Sequence, residues 1–264
     1  MKSRFKFGFM VAFLLMATVV TAQDQTLSQE DELAKKLQNP VADLISLPFQ
    51  FNFDFGVGPA DGSKMTLNIQ PVIPVSISDD WNLITRTIIP VISQNDIAGN
   101  SGSQFGLGDV VATGFFSPKA PTASGIIWGV GPAVLIPTST HELLGVGEFG
   151  AGPSAVALTQ KGSLTVGALV NHIWADNFSN TFINPFISQN FTGGYAIVLN
   201  TEMNVNWEND NNPYGGVLMI QGSKVFNIGT QPCSFVVGPR IHYGGARTAD
   251  WGIKAQLTLM FPKG

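Results

Sequence analysis

Apolar and polar residues alternate strictly over residues 49–55, which read Phe-Gln-Phe-Asn-Phe-Asp-Phe. Because successive side chains of a β-strand point to opposite faces, this stretch predicts a strand with one aromatic face and one polar face. The alternation recurs most clearly in residues 64–77, 195–208, 234–243 and 251–261. A soluble sheet buries its apolar face under a second layer, whereas an outer-membrane strand turns that face to lipid and its polar face to a lumen. The recurrence favours the outer-membrane strand.

Strand-like segments follow one another from Leu47 onward. Each is close to the roughly 9–11 residues that cross a bilayer at a tilt. We therefore predict an all-β fold, a closed antiparallel transmembrane β-barrel of about 12 strands over residues 47–264. Weak alternation in residues 105–116, 181–190 and 214–225 predicts bulges or a different count there. The segments are 47–56, 64–77, 81–92, 105–116, 125–136, 149–159, 163–175, 181–190, 195–207, 214–225, 233–243 and 250–261.

The links between the segments alternate in length, as in outer-membrane barrels, which have short periplasmic turns and longer outer loops. The inner link 160–162 is tight and the outer links 93–104 and 137–148 are long, although the inner links 117–124 and 226–232 are exceptions. Aromatic residues fall at strand ends, where interfacial girdles lie, a placement that a β-sandwich core would not explain. The outer girdle would contain Phe55, Trp174, Trp207, Tyr243 and Trp251, and the inner one Trp81, Phe116, Tyr195, Phe226 and Phe261.

Residues 1–22 are predicted to be a secretory signal peptide, because three basic residues precede an apolar run and Val20-Thr21-Ala22 offers a small-residue cleavage site. An uncleaved membrane anchor is the alternative. Removing the basic residues changes the net charge from −4 to −7, which argues against nucleic acid as a partner. Only 12% of residues are charged and the mean hydropathy is +0.20, yet no later apolar run reaches the ~18 residues of a spanning helix. A closed barrel is the other structure that satisfies its backbone in lipid.

Residues 23–46 are predicted to be a helical segment at the periplasmic mouth of the barrel. Ser28 and Asp31 have the spacing of a capping box, and Asn39-Pro40 predicts a second helical turn through Ile45. Two roles remain open for the segment: a solvated leader, or a plug that packs against or into the barrel mouth.

Six charged residues are predicted to line the lumen. They either form charge rings that select solutes, or pair with one another and brace the wall, because isolated buried charges are costly. Since the first and last strands must meet, Asp54 and Lys254 are expected to be neighbours, which favours bracing for that pair. The six are Asp54, Lys64, Arg86, Glu202, Arg240 and Lys254.

The sequence contains few motifs that are typical of enzymes, and we predict no enzymatic activity. Residues 145–150 match a dinucleotide-binding GxGxxG by letters, but the motif needs a strand before it and a helix after it. We therefore predict no catalytic residue, no cofactor and no metal. An outer-membrane lipid hydrolase remains a third alternative, in which His172 near the outer rim would act with Ser179 or Asp176.

Several motifs resemble one bacterial family. They are Leu44–Gln50, Asn68–Pro74, Trp81–Thr87, Gly106–Asp109, Phe115–Lys119, Trp128–Pro132 and Asn171–Trp174. Together they resemble outer-membrane proteins often labelled "transporter" or, misleadingly, "neuromedin U", which are related to the barrels named for the meta-pathway (MetA-pathway) of phenol degradation. The resemblance implies a porin-like barrel and passage of small molecules, with aromatic or hydrophobic compounds as candidate solutes. It implies no site residues.

We therefore expect an outer-membrane channel or transporter of a Gram-negative bacterium. Its expected partners are outer-membrane lipid, the barrel-assembly machinery, which recognises aromatic-ended last strands such as the one ending at Phe261, and a small-molecule solute. A structural barrel without an open pore is the main alternative.

Overall fold

The computed structural model describes residues 28–211 and 213–262, so the predicted signal peptide lies outside the described residues. One helix, α1 (Gln29–Leu37), precedes fourteen strands in the described chain. The strands are β1 (Ile45–Val57), β2 (Gly62–Ile69), β3 (Val72–Ser76), β4 (Trp81–Asn95), β5 (Ser103–Leu107), β6 (Val110–Pro118), β7 (Ile126–Ile136), β8 (Gly150–Lys161), β9 (Leu164–Ala175), β10 (Phe178–Phe191), β11 (Tyr195–Asn206), β12 (Tyr214–Ile228), β13 (Gln231–Gly244) and β14 (Trp251–Phe261).

The strands form one closed antiparallel barrel. Each pairs with its neighbours in chain order, and β14 closes on β1 with Ile45 opposite Phe261 and Phe55 opposite Trp251. β2 and β3 both lie between β1 and β4, and β5 and β6 both pair with β4, so each of these couples is one interrupted strand. The described strands therefore make a twelve-membered wall, which confirms the predicted barrel.

Both interruptions have local causes. Between β2 and β3, Pro71 has no N–H to donate to a ladder, although its carbonyl still accepts from Thr87 at 3.1 Å. Between β5 and β6, Asp109 turns its carboxylate away from the wall and accepts hydrogen bonds from the backbone of Ser139, Val146 and Gly147. These bonds hold residues 137–149 against the wall, and Leu144 is buried there.

The two ends of the barrel differ. At one, the turn end, two-residue links at 162–163 and 229–230 join adjacent strands; at the other, the loop end, the links include 96–102 and 137–149. The link expected at 226–232 is shorter than predicted, because β12 continues to Ile228 and β13 begins at Gln231. The outer link expected at 175–180 is also a tight hairpin, since β9 and β10 run to within two residues of each other.

The outer face of the wall is apolar and exposed. Side chains at mid-strand are about two-fifths or more exposed despite being large hydrophobes, which is the pattern of a face that meets lipid. They include Phe53, Val75, Val130, Val166, Ile187, Ile197, Ile220, Val237 and Ile253. Exposed aromatics follow at both ends, with Phe55, Trp174, Trp207 and Trp251 at the loop end and Trp81, Phe116, Tyr195 and Phe261 at the turn end. No helix in the described ranges has the length and apolar character that crossing a membrane requires.

The N-terminal segment (residues 28–44) lies at the turn end, inside the wall. Leu33, Ala34 and Leu44 pack against inward-facing Val225 and Met260. Farther along, Val41 packs into a second cluster with Ile84, Phe115, Val156, Leu158 and Leu169. Residues 39–44 form turns and not the second helical turn expected there, because the Asn39 side chain accepts from Val41 N–H at 3.0 Å and the chain then extends into β1.

Candidate functional site

The lumen has two chemically different halves. The inner faces of β6 to β10 are mainly apolar, and across these five strands only Lys161, at the end of β8, and His172, on the outer face of β9, are ionisable. Their inward side chains form two buried hydrophobic clusters. The six predicted lumen residues all lie on the other half, on β1, β2, β4, β11, β13 and β14, among amide and hydroxyl side chains. The inner surface of the wall therefore has an apolar half and a polar, charged half.

Asp54 is the centre of a buried charge cluster. Its carboxylate accepts from Arg240 at 2.8 Å (Nε) and 3.3 Å (Nη2), and from His242 Nε2 at 2.9 Å. Arg240 also donates to Asn52 Oδ1 at 3.1 Å, and Met219 covers the guanidinium. Asp54 and Arg240 are 8% and 6% exposed, so this bidentate pair is largely desolvated. It braces the wall.

The expected pairing of Asp54 with Lys254 is wrong. Lys254 lies opposite Asn52 in the β1–β14 ladder, one inward position closer to the turn end, while Asp54 lies opposite Gly252. Gly252 lies between Asp54 on β1 and Arg240 on β13 and has no side chain to separate them. The long Arg240 side chain therefore reaches across β14 to the Asp54 carboxylate. The sequence pattern placed Arg240 in the lumen, but it did not reveal that Arg240 and His242 both bind Asp54.

The remaining predicted lumen residues do not form such a cluster. Lys64 lies opposite Asp54 on β2 and is half-buried. The Arg86 guanidinium donates to Gln70 Oε1 at 2.6 Å and has no carboxylate within salt-bridge distance among the described residues. Glu202 is half-buried on β11, across the lumen.

Two cavities occupy the polar half of the lumen. The lower cavity, of about 240 Å³, lies between the N-terminal segment and the wall, and Lys36, Asn39, Arg86, Glu202 and Lys254 contribute to its lining. The upper cavity, of about 300 Å³, lies toward the loop end and is lined by Arg240, His242 and residues of the 213–217 and 246–248 stretches. Glu202 borders both cavities, so they follow one another along the barrel.

The N-terminal segment is attached to the turn end by two polar contacts. Gly194 N–H, at a left-handed position (φ +74°), donates to Asp31 Oδ1 at 2.7 Å, and Gln160 Nε2 donates to the carbonyl of Lys35 at 3.0 Å. Partial desolvation raises the pKa of Asp31, but the hydrogen bonds from Gly194 and from Ser28 outweigh it and hold the pKa below the ordinary 3.8.

We expect the Asp31→Asn variant to loosen the N-terminal segment at neutral pH. Because the pKa of Asp31 is lowered in the folded protein, its contribution to docking is present above the ordinary value and is lost as the pH falls through the lowered one. Hydrogen exchange of the amides of residues 29–37 should be faster in the variant at pH 7. As the pH falls through the lowered pKa of Asp31, the two proteins should converge. Exposed Glu32→Gln is the control; equal exchange in all three proteins at pH 7 would refute the anchor.

His172 lies on the outer face at the loop end, beside Trp174. Ser179 Oγ is 3.4 Å from His172 Nε2, as the hydrolase alternative requires, but the second ring nitrogen bonds Thr181 Oγ1 at 2.7 Å. A catalytic triad uses a carboxylate or amide at that position, and Asp176 does not occupy it here. The geometry therefore does not favour a hydrolase. The described ranges contain no group of three or more residues placed to hold a metal ion.

No family model and no curated protein matches the chain. Among solved structures, it is similar to an outer membrane channel from Pseudomonas putida F1, with a TM-score of 0.64 and 11% identity over 83% of this chain and 96% of that chain. A bacterial polysaccharide outer membrane secretin (TM-score 0.37, 10% identity, 84% and 99% of the two chains) and Pseudomonas putida OprB at low pH (0.28, 8%, 91% and 100%) are too dissimilar to add to this. The resemblance to the "neuromedin U" and phenol meta-pathway proteins stays a prediction. At this identity the first likeness supports one conclusion: the chain has the fold of an outer-membrane β-barrel.

Proposed function

We propose that this protein is an outer-membrane channel of a Gram-negative bacterium through which small molecules pass without energy coupling. The observation that carries the proposal is the series of two cavities along the polar half of a closed barrel with an apolar outer face. A barrel serving only as a scaffold gains nothing from charges that line a cavity without a partner, because such charges are costly to desolvate. The similar fold of an outer membrane channel supports the same function.

The N-terminal segment makes the described conformation a closed one. Outer-membrane barrels have their short turns in the periplasm, so the turn end would face the periplasm and the segment would close the periplasmic mouth. It forms the floor of the lower cavity. Passage would require the segment to move aside, and its two polar anchors and two hydrophobic clusters are the contacts that would break.

The lining favours polar solutes over purely hydrophobic ones. The resemblance to phenol-pathway proteins points to aromatic compounds, but the apolar half of the lumen is filled by its own side chains and by Val41. The accessible cavities border amides, hydroxyls and charges as well as apolar side chains such as Phe186, Val198 and Val217. An aromatic solute with an ionised group would satisfy both indications, whereas a hydrocarbon would desolvate Lys254 and Glu202 without compensation.

A structural barrel without an open pore is the second candidate. The observation in its favour is how much of the lumen the protein itself fills, with the N-terminal segment at the turn end and the Asp54 cluster toward the loop end.

Planar-bilayer recording of the purified full chain separates the two candidates. We expect discrete conductance steps, with long closed periods because the N-terminal segment occupies the mouth. Proteoliposomes should swell in small polar solutes, and heat-denatured protein is the control for leakage. Absence of steps and swelling, both from the full chain and from a variant lacking residues 28–44, would leave the structural barrel as the function.

A further inference from the structure

Three charged side chains of the barrel wall face the lower cavity without an ion-pair partner among the described residues, and so does Lys36 of the N-terminal segment. In the described ranges, ion pairs within 4.0 Å involve Asp54 with Arg240 or His242, and Arg247 with Asp250, and none involves Arg86, Glu202 or Lys254. Lys254 is the most isolated of the three. Its side chain is buried, with the residue 6% exposed, and its ammonium group makes no hydrogen bond to a described residue.

These charges surround the cavity from different sides. Counting each interrupted strand as one member of the twelve, β4 with Arg86 and β11 with Glu202 are six positions apart, and so lie diametrically opposite. β14, with Lys254, lies midway between them. The three groups do not pair with one another, and together they can bind one molecule held between them.

The two sides of the cavity differ in hydrogen-bonding character. Lys254 and Arg86 present only donors, because ammonium and guanidinium groups have no acceptor. On β11, the Glu202 carboxylate and the Asn200 side chain, two residues apart on the same face, present acceptors. Asn200 Oδ1 is buried and receives no hydrogen bond from a described residue. The cavity is therefore cationic on one side and rich in unused acceptors on the other.

We propose that the lower cavity is a binding site for a small organic acid that carries a carboxylate and, a few bonds away, a hydrogen-bond donor, such as an amino acid or a hydroxy acid. The carboxylate would bind Lys254 and Arg86, for which it is the matching charged acceptor. The ammonium or hydroxyl group would bind Glu202 and Asn200. This inference rests on the proposed function, because it identifies the class of solute that the channel selects.

The size of the cavity limits the solute. Its volume of about 240 Å³ is below the roughly 300–1,000 Å³ of sites that hold drug-sized ligands. Oligosaccharides and lipids are therefore too large, and a solute with a short carbon chain or a single ring fits the volume.

Calorimetric titration of the detergent-solubilised full chain tests the proposal with matched probes. 4-Aminobutyrate carries both groups, butyrate carries only the carboxylate, and glucose carries no charge. We expect 4-aminobutyrate to bind most tightly, butyrate more weakly and glucose not at all. Lys254→Gln should weaken binding of both acids about tenfold or more, since it removes a charged hydrogen bond. Glu202→Gln should reduce the preference for 4-aminobutyrate over butyrate.

Lys161→Gln, which removes an exposed lysine at the turn end, is the matched control and should bind like the unmodified protein. Retention of the folded electrophoretic band after detergent without heating verifies each barrel, and Arg86→Gln serves if Lys254→Gln does not fold. Binding by Lys254→Gln, or by Arg86→Gln in its place, at the unmodified affinity would overturn the proposal, and so would absence of binding to either acid by the unmodified protein. Conductance of the same preparation distinguishes the binding site from the channel function. A protein that conducts but binds neither acid refutes the binding site and leaves the proposed channel function standing.

Discussion

The Asp54→Ala variant is expected to lose about 3–5 kcal/mol of folding free energy, the usual cost of removing one partner of a buried ion pair. Arg240 is only 6% exposed, and without Asp54 its guanidinium would keep just the hydrogen bond to Asn52 and the contact with Met219. The change should appear as a lower urea midpoint for unfolding of the barrel in lipid vesicles, followed by tryptophan fluorescence.

Two comparison variants show whether burial is the cause. Replacing both partners, as in Asp54→Leu with Arg240→Met, should recover most of the lost stability, because no uncompensated charge remains. Breaking the exposed Arg247–Asp250 pair, 3.1 Å long with side chains 58% and 53% exposed, should cost less than about 1 kcal/mol. If Asp54→Ala costs no more than Arg247→Ala, the cluster does not brace the wall.

Placing charges in the two hydrophobic contacts of the N-terminal segment should open the channel. Val41 and Leu44 are 6% and 4% exposed, and each packs into a different cluster. Aspartate at both positions would bury two unpaired charges in the docked state and none in the released state. Since every ~1.4 kcal/mol changes an equilibrium tenfold, the released state should predominate. We expect the mean current per channel in planar bilayers to rise several-fold.

The control variant adds the same charge where it is solvated. Gln29→Asp places a carboxylate at an exposed position in the first turn of α1, where it favours the helix and touches neither cluster. Its current should equal that of the unmodified channel. An unchanged current in Val41→Asp/Leu44→Asp would show that the segment does not close the mouth.

The barrel could be predicted from sequence because its wall is a single layer. Every strand has one face toward lipid and one toward the lumen, so apolar and polar residues alternate with a period of two in segments such as 49–55. The period fades for two different reasons. In 105–116 the strand is interrupted between Leu107 and Val110, as weak alternation suggested.

Residues 181–190 and 214–225 have another explanation. β10 and β12 are continuous strands, so the bulges expected there are absent from them. Their alternation is weak because the inner face is also apolar, with Phe182 and Phe186 on β10 and Val217 and Met219 on β12. A strand with large apolar side chains on its inner face as well as on its lipid face has a weak two-residue signal.

The candidate site was only partly predictable. Alternation predicts which charges face inward, because facing depends on residue parity alone. It could not identify their partners, since Asp54 binds residues one strand farther than its ladder neighbour. That choice depends on side-chain length and on the gap at Gly252. The lower cavity could not be predicted from sequence either, because its floor is the N-terminal segment. The path of that segment is fixed by tertiary contacts such as those of Val41 with Ile84 and Phe115.

The contact between Asp54 on β1 and Arg240 on β13 spans the seam where the first strand meets the last. Until β1 and β14 join during assembly, the ion pair between Asp54 and Arg240 cannot form, and joining the two edges brings the two groups together. Backbone hydrogen bonds are nearly alike in any alignment of two antiparallel edges, so they cannot detect a slip of two residues. A slipped junction would leave the carboxylate and the guanidinium apart, so this contact favours the observed register over one slipped by two residues.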